Sequence, residues 1–150
     1  MSMDEQFERC VKEGKLVLER QQPDLVRKEL DAAESDLESA RSSVSEGDFK
    51  WATIQAYYSM FHIAKALVLS KGYREKSHLC LSIALKALFV DSSIMEGRHL
   101  DRFRDSMNMR KDADYGLVYS ESSADSGVEW AEEFLESARR IINKRAPSGK

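Results

Sequence analysis

A chain of 150 residues with seven Gly and two Pro, of which 42% are hydrophobic and 33% charged, has the size and composition of one helical domain with a sizeable core. Its formal net charge of −3 argues against strong non-specific nucleic-acid binding, and no window holds the roughly 18 apolar residues of a membrane span. The charged first 22 residues are unlike a signal peptide, and Cys10 and Cys80 are lone thiols without metal-ligand spacing, which argues against a disulfide scaffold, so a soluble cytoplasmic protein is expected.

Residues 1–22 form an acidic extension in which Phe7, Val11 and Leu18 allow one short helix. Residues 23–145 carry the bundle. Val26, Leu30, Ala33, Leu37, Ala40 and Val44 alternate spacings of four and three, a helical stripe that Gly47 is placed to end. Asp48 can cap the next helix, Phe49 to Ser70. That helix is apolar nearly all round, with Trp51, Ile54, Tyr58 and Phe61 on one side and Ala56, Ile63 and Leu67 on the other, so it is central or shared with a partner. Lys71-Gly72 ends it. Ser77 to Val90 reads as a third helix and Met95 to Ala113 as a fourth, with Leu100, Phe103 and Met107 inward.

Residues 116–124 read as a Ser- and Gly-rich loop, with Ser122 and Asp125 resembling a capping box. The last helix has the stripe Val128, Ala131, Phe134, Leu135, Ala138, Ile141 and Ile142. Residues 146–150 read as a frayed tail, and no β alternation stands out. Short connections between long helices predict an all-α, up-and-down bundle of four to five antiparallel helices. The apolar surface of the second helix predicts a homodimer.

Charge is unevenly distributed. Residues 1–48 hold 7 Lys/Arg and 13 Asp/Glu, residues 49–111 hold 11 and 5, and residues 112–150 hold 5 and 8. The basic middle can attract phosphate or simply solvate helix faces. There is no HExxH, CxxC, P-loop or Gly-rich fingerprint, and His62, His78 and His99 lie far apart, so neither a metal nor a cofactor is expected.

Two stretches carry a more specific signal. The first is Tyr57-Tyr58-x-x-Phe61-His62-x-Ala64, followed by Gly72 and then Lys76-Ser77-His78; the second is Arg110-x-x-Ala113-Asp114-Tyr115. In this order and spacing, over about residues 24–143, they resemble the HEPN superfamily (higher eukaryotes and prokaryotes nucleotide-binding), above all its small stand-alone archaeal and bacterial members. The resemblance implies a dimerising helical bundle with a groove between subunits. It further implies a metal-independent endoribonuclease toxin, paired with a nucleotidyltransferase antitoxin. The family signature is an Arg followed after four to six residues by a His. In such a pair His moves the proton of the attacking 2′-hydroxyl while Arg neutralises the developing phosphorane charge.

Arg110 matches that Arg, but the fifth residue after it is Tyr115, and no His follows His99. An ordinary phenol, with a pKa of about 10, is a poor general base. His62 or His78 is therefore a candidate to replace the missing His through space. The candidate catalytic residues are Arg110, Asp114, Tyr115 and His62; the candidate phosphate- or nucleotide-binding residues are Lys76, Ser77, His78 and Tyr58. Each has a plainer role available. Arg110 and Asp114 can form an i,i+4 ion pair of roughly 0.3–0.5 kcal/mol. Tyr115 can stack on a base or anchor a helix end. His62 can be a hydrogen-bonded core histidine, and Ser77 a helix cap beside Lys76 and His78, at an end where free amides favour an anion. Tyr57 and Phe61 read as core. The readings that remain are a nucleotide- or RNA-binding HEPN protein, a non-catalytic subunit that binds a nucleotidyltransferase or its substrate, and a helical interaction module without a ligand.

Overall fold

A computed structural model of the chain describes residues 3–145. It contains α1 (Met3–Lys12), β1 (Leu16–Leu18), α2 (Pro23–Ser45), α3 (Phe49–Ser70), β2 (Tyr73–Glu75), α4 (His78–Leu85), α5 (Gly97–Tyr115) and α6 (Glu121–Arg145). The tail expected at 146–150 lies outside the described residues. The all-α bundle is as expected. Among the described residues no helix is long and apolar enough to cross a membrane.

Local chemistry fixes most helix ends. Pro23 opens α2, where its missing N–H costs no hydrogen bond. Gly47, at φ +76°, supplies the left-handed residue that ends α2, and the Asp48 carboxylate accepts from the Trp51 amide to start α3. Ser77 Oγ accepts from the Cys80 amide and caps α4. The cap expected at Ser122 is instead Ser120, whose Oγ accepts from the Ser123 amide, so α6 begins earlier than predicted and shortens the loop. The third predicted helix is two pieces: after Leu85 the chain widens into a π-turn over Lys86–Val90 that seats Phe89 in the core, fully buried.

Contacts across α2 and α3 fix their direction. Ser43 meets Gln55, Ala33 meets Ser59 and Glu29 meets His62, so one helix rises as the other falls. The pairs Arg41–Glu132 and Glu34–Arg139 set α6 antiparallel to α2 in the same way. Close approach of α3 and α6 depends on small residues: a Cβ added to Gly127 would lie 3.2 Å from that of Ala56. Tyr57, Met60, Ile63, Leu67, Phe103 and Phe134 fill the centre, all fully buried.

Two further features depart from the sequence expectation. Leu16–Leu18 pairs antiparallel with Tyr73–Glu75, a two-stranded ribbon that lays the N-terminal extension across the end of α3. Leu18, expected to continue the helical face of Phe7 and Val11, is exposed on this ribbon. The two cysteines are not lone thiols: Cys10 of α1 is disulfide-bonded to Cys80 of α4, with Cα atoms 5.8 Å apart.

Candidate functional site

The site is built on one turn of α3. Residues four apart share a helix face, so Tyr57 and Phe61 lie together, while Tyr58 and His62 are rotated by about 100°. Tyr57 is fully buried and lies parallel to Phe103 of α5, with centroids 6.0 Å apart. Its Oη reaches the mouth of the core and stands 2.9 Å from His78 Nδ1, at the N-terminus of α4. The His78 ring stacks on Phe61 at 4.8 Å. Ser77 aims that helix start, and its hydroxyl is spent on the cap.

Arg110, from the last turns of α5, covers this arrangement. Its Cζ lies 5.2 Å from the centre of the Tyr57 ring and 5.9 Å from that of Tyr58, cation–π distances to both. The side chain is 14% exposed, and its buried Nε has no hydrogen-bond partner. The intrahelical pair with Asp114 is long, 3.7 Å from Nη1 to Oδ2. That separation gives a Coulombic contact without a hydrogen bond, so Asp114 does not satisfy the unpartnered Nε.

Electrostatics follow from this packing. Burial pushes the Tyr57 phenol above its ordinary value, partly opposed by Arg110, so the hydroxyl stays protonated. His78 is exposed as a residue, yet partial desolvation of its ring and the positive charges of Arg110, Lys111 and Lys65 hold its pKa below the ordinary value. The site is thus a neutral phenol and a readily deprotonated imidazole among cations.

The remaining candidates are placed elsewhere. His62 faces α2: its Nδ1–H donates to Glu29 Oε1 at 2.6 Å, and its Nε2 lies 3.6 Å from Asp36. Lys65 extends this network to Glu29 and Glu75. Burial alone would raise the Glu29 carboxyl, but His62 and Lys65 hold it below its usual range. His62 is therefore a bridging residue between α2 and α3, and the structure does not bring it to Arg110. Lys76 is exposed, and its amide donates to the Lys15 carbonyl beside the ribbon. Tyr115 is 77% exposed, and its side chain has no ring contact or hydrogen bond among the described residues. Tyr57, read from sequence as core, is the residue that joins α3, α4 and α5. Its sequence signal is its place at the head of the Tyr57-Tyr58-x-x-Phe61-His62 motif, one turn before Phe61. Among the described residues no cluster of His, Cys, Asp and Glu could hold a metal ion. A groove of about 350 Å³ between α2 and the C-terminal ends of α3 and α6 is lined by other residues, including Leu30, Leu69 and Ile142.

Comparison with known proteins bears on this geometry. A family model described as the HEPN domain matches residues 26–146. The chain is 29% identical over 124 residues to a Methanocaldococcus jannaschii protein named "putative toxin", covering 79% of this chain and 92% of that relative. It is 27% identical over 115 residues to a UPF0332 protein of Archaeoglobus fulgidus, covering 75% and 90%. The crystal structure of a Thermus thermophilus protein shares the fold, with a TM-score of 0.66 at 19% identity over 77% of this chain and 97% of that one. The matched region leaves out α1 and β1.

Proposed function

The chain belongs to the HEPN domain family, and on that premise we propose that it is a toxin-like protein that binds the phosphate of an RNA or nucleotide at Arg110 and cleaves RNA without a metal. The observation that carries this reading is the state of Arg110. The guanidinium is fixed on two tyrosine rings, its Nε is unpartnered, and its nearest carboxylate is too far for a hydrogen bond. A buried, unpaired donor costs about 1–3 kcal/mol, a cost that an incoming phosphate oxygen can offset. The relatives named as toxins support the same reading.

Exposed apolar side chains on α3 (Trp51, Tyr58) and after α5 (Leu117, Val118, Tyr119) support assembly as a homodimer. The test is digestion of total cellular RNA by the purified protein in excess chelator, with Arg110→Ala alongside. Cutting that is lost in a folded Arg110→Ala protein is the expected result. A second reading is a non-catalytic subunit that binds a nucleotidyltransferase or its substrate. The residue that favours it is Tyr115, a bare phenol where the family signature has a His. Absence of cutting by a folded wild type would transfer the assignment to that reading.

A further inference from the structure

We infer that His78 is the proton-transfer residue for cleavage at Arg110 and that Tyr57 is its positioning residue, an assignment that rests on the RNA-cleaving reading. Three residues fix this imidazole. Phe61 of α3 supports its face, Tyr57 Oη fixes Nδ1 at 2.9 Å, and Ser77 holds the first turn of α4 from which it projects. Arg110 packs on the same tyrosine from α5 and acts on the His78 ring through its charge, so a phosphate-binding group and an imidazole share one phenol. His62 has both nitrogens facing carboxylates of α2, and His99 is buried against Phe134, so neither offers a nitrogen to a ligand at Arg110.

The hydrogen bond to Tyr57 determines which chemistry His78 can do. If Nδ1–H donates to Oη, the lone pair of Nε2 is free to take a proton, and the bond survives unchanged once the ring is cationic. If instead Oη–H donates to Nδ1, Nε2 already carries the proton and cannot act as a base. The first arrangement serves both halves of a transfer. The 2′-hydroxyl loses its proton to Nε2 as O2′ bonds to phosphorus, and the P–O5′ bond breaks. The proton then passes from Nε2 to O5′, leaving a 2′,3′-cyclic phosphate and a 5′-hydroxyl. No oxidant, metal or further reactant is consumed. The charged groups that act on His78 are Arg110 and Lys111 of α5 and Lys65 of α3, all of them cations.

The experiment uses the full chain and a fluorescently labelled single-stranded RNA oligonucleotide, with wild type, Arg110→Ala, His78→Ala and Tyr57→Phe compared across pH. His78→Ala is expected to lower kcat by about 10²–10⁴-fold with KM little changed, to lose the acid limb of the rate profile, and to recover in part with added imidazole. Tyr57→Phe is expected to keep cleavage but move that limb to lower pH, because the cationic ring loses its acceptor. Wild-type cleavage that requires Arg110 but persists, acid limb intact, in His78→Ala overturns this inference and leaves the RNase reading standing. No cleavage by the wild type overturns both. Nitrogen-15 spectra of the neutral ring supply a check that needs no variant: the Nδ1–H tautomer is expected, and the Nε2–H tautomer would refute the base role.

Discussion

The Cys10–Cys80 bond leads to the largest effect on stability that the fold predicts. It closes a loop with a sequence separation of 70 residues, from α1 across the whole of α2 and α3 to α4. In the chain-entropy picture, tying such a loop removes roughly 4 kcal/mol of freedom from the unfolded chain. The folded state needs little from the bond. Phe7 packs edge-on against Tyr73 at 5.3 Å, Leu16 is 1% exposed in the ribbon, and the Glu19 amide donates to the Gly72 carbonyl. Those contacts hold α1 and β1 in place when the sulfurs part, so the loss falls mainly on the unfolded side of the equilibrium. With a urea slope of about 1–3 kcal/mol/M, the midpoint of unfolding is expected to fall by about 2 M on reduction. The assay is equilibrium urea unfolding of the oxidised protein, the reduced protein and the Cys10→Ala/Cys80→Ala pair, after thiol titration of the unfolded oxidised sample. Two free thiols in that sample would show that the chain does not form the bond. No free thiols but equal midpoints in all three would refute the loop-entropy reasoning itself.

Three further outcomes follow from other sites. His99 is 2% exposed, with an unpartnered Nδ1, and burial together with Arg98 holds its pKa below the ordinary 6.5. The unfolded chain therefore binds a proton first as pH falls below that value, so stability is full above it, declines toward the folded pKa and levels off beneath it; a His99→Leu protein is expected to show a flatter urea midpoint over that window. Gly72 sits at φ +92°, and an added Cβ would lie 2.9 Å from the Glu19 carbonyl oxygen, whereas Gly14, at φ +75°, has nothing within 4 Å. Gly14→Ala is expected to cost about 1 kcal/mol in urea unfolding and Gly72→Ala about 2–3, and equal losses would show that the ribbon yields to the methyl group. Asp114→Asn is expected to change stability by less than about 0.5 kcal/mol, because its pair with Arg110 is long and intrahelical. The same variant is expected to bind labelled RNA more tightly in fluorescence anisotropy, and weaker binding would make Asp114 part of the ligand site.

Periodicity and caps made the bundle legible. The stripes of α2 and α6, the glycines at 47 and 72 and the caps at Asp48 and Ser77 all act within a few residues, which is the range that a sequence displays. The ribbon was not legible because three-residue strands show no alternation, and their pairing joins residues 16–18 to 73–75. The disulfide was missed for a related reason: sulfurs 70 residues apart are brought together only by that ribbon and by α1. Site residues were legible as types and illegible as partners. The sequence offers His62 as a catalytic candidate and His78 as a phosphate-binding one, with either able to replace the missing His. The helical rotation between positions 61 and 62 turns His62 toward the carboxylates of α2, while Phe61 turns toward α4 and supports His78. Tyr57 reads as core by every local criterion and is core, except for one oxygen atom at the edge.

That oxygen and the guanidinium above it bear on whether Arg110 is an anchor or a receptor for anions. Stacking on two rings contributes about 0.5–2 kcal/mol, and a Met or Leu could cover the same aromatic surface without leaving an Nε unsatisfied. The two roles differ in their coupling to His78. Desolvation of the ring depresses the His78 pKa, and the charges of Arg110, Lys111 and Lys65 depress it further, so a phosphate bound at Arg110 must cancel part of that field and draw a proton onto the ring. By linkage the converse holds with the same factor: the anion binds more tightly as pH falls through the His78 pKa. An Arg110 that only packs leaves the His78 titration unmoved by phosphate at constant ionic strength, whereas a receptor shifts it upward. The shift would be absent in Arg110→Ala, which ties the coupling to that guanidinium and not to the general charge of the basic middle segment.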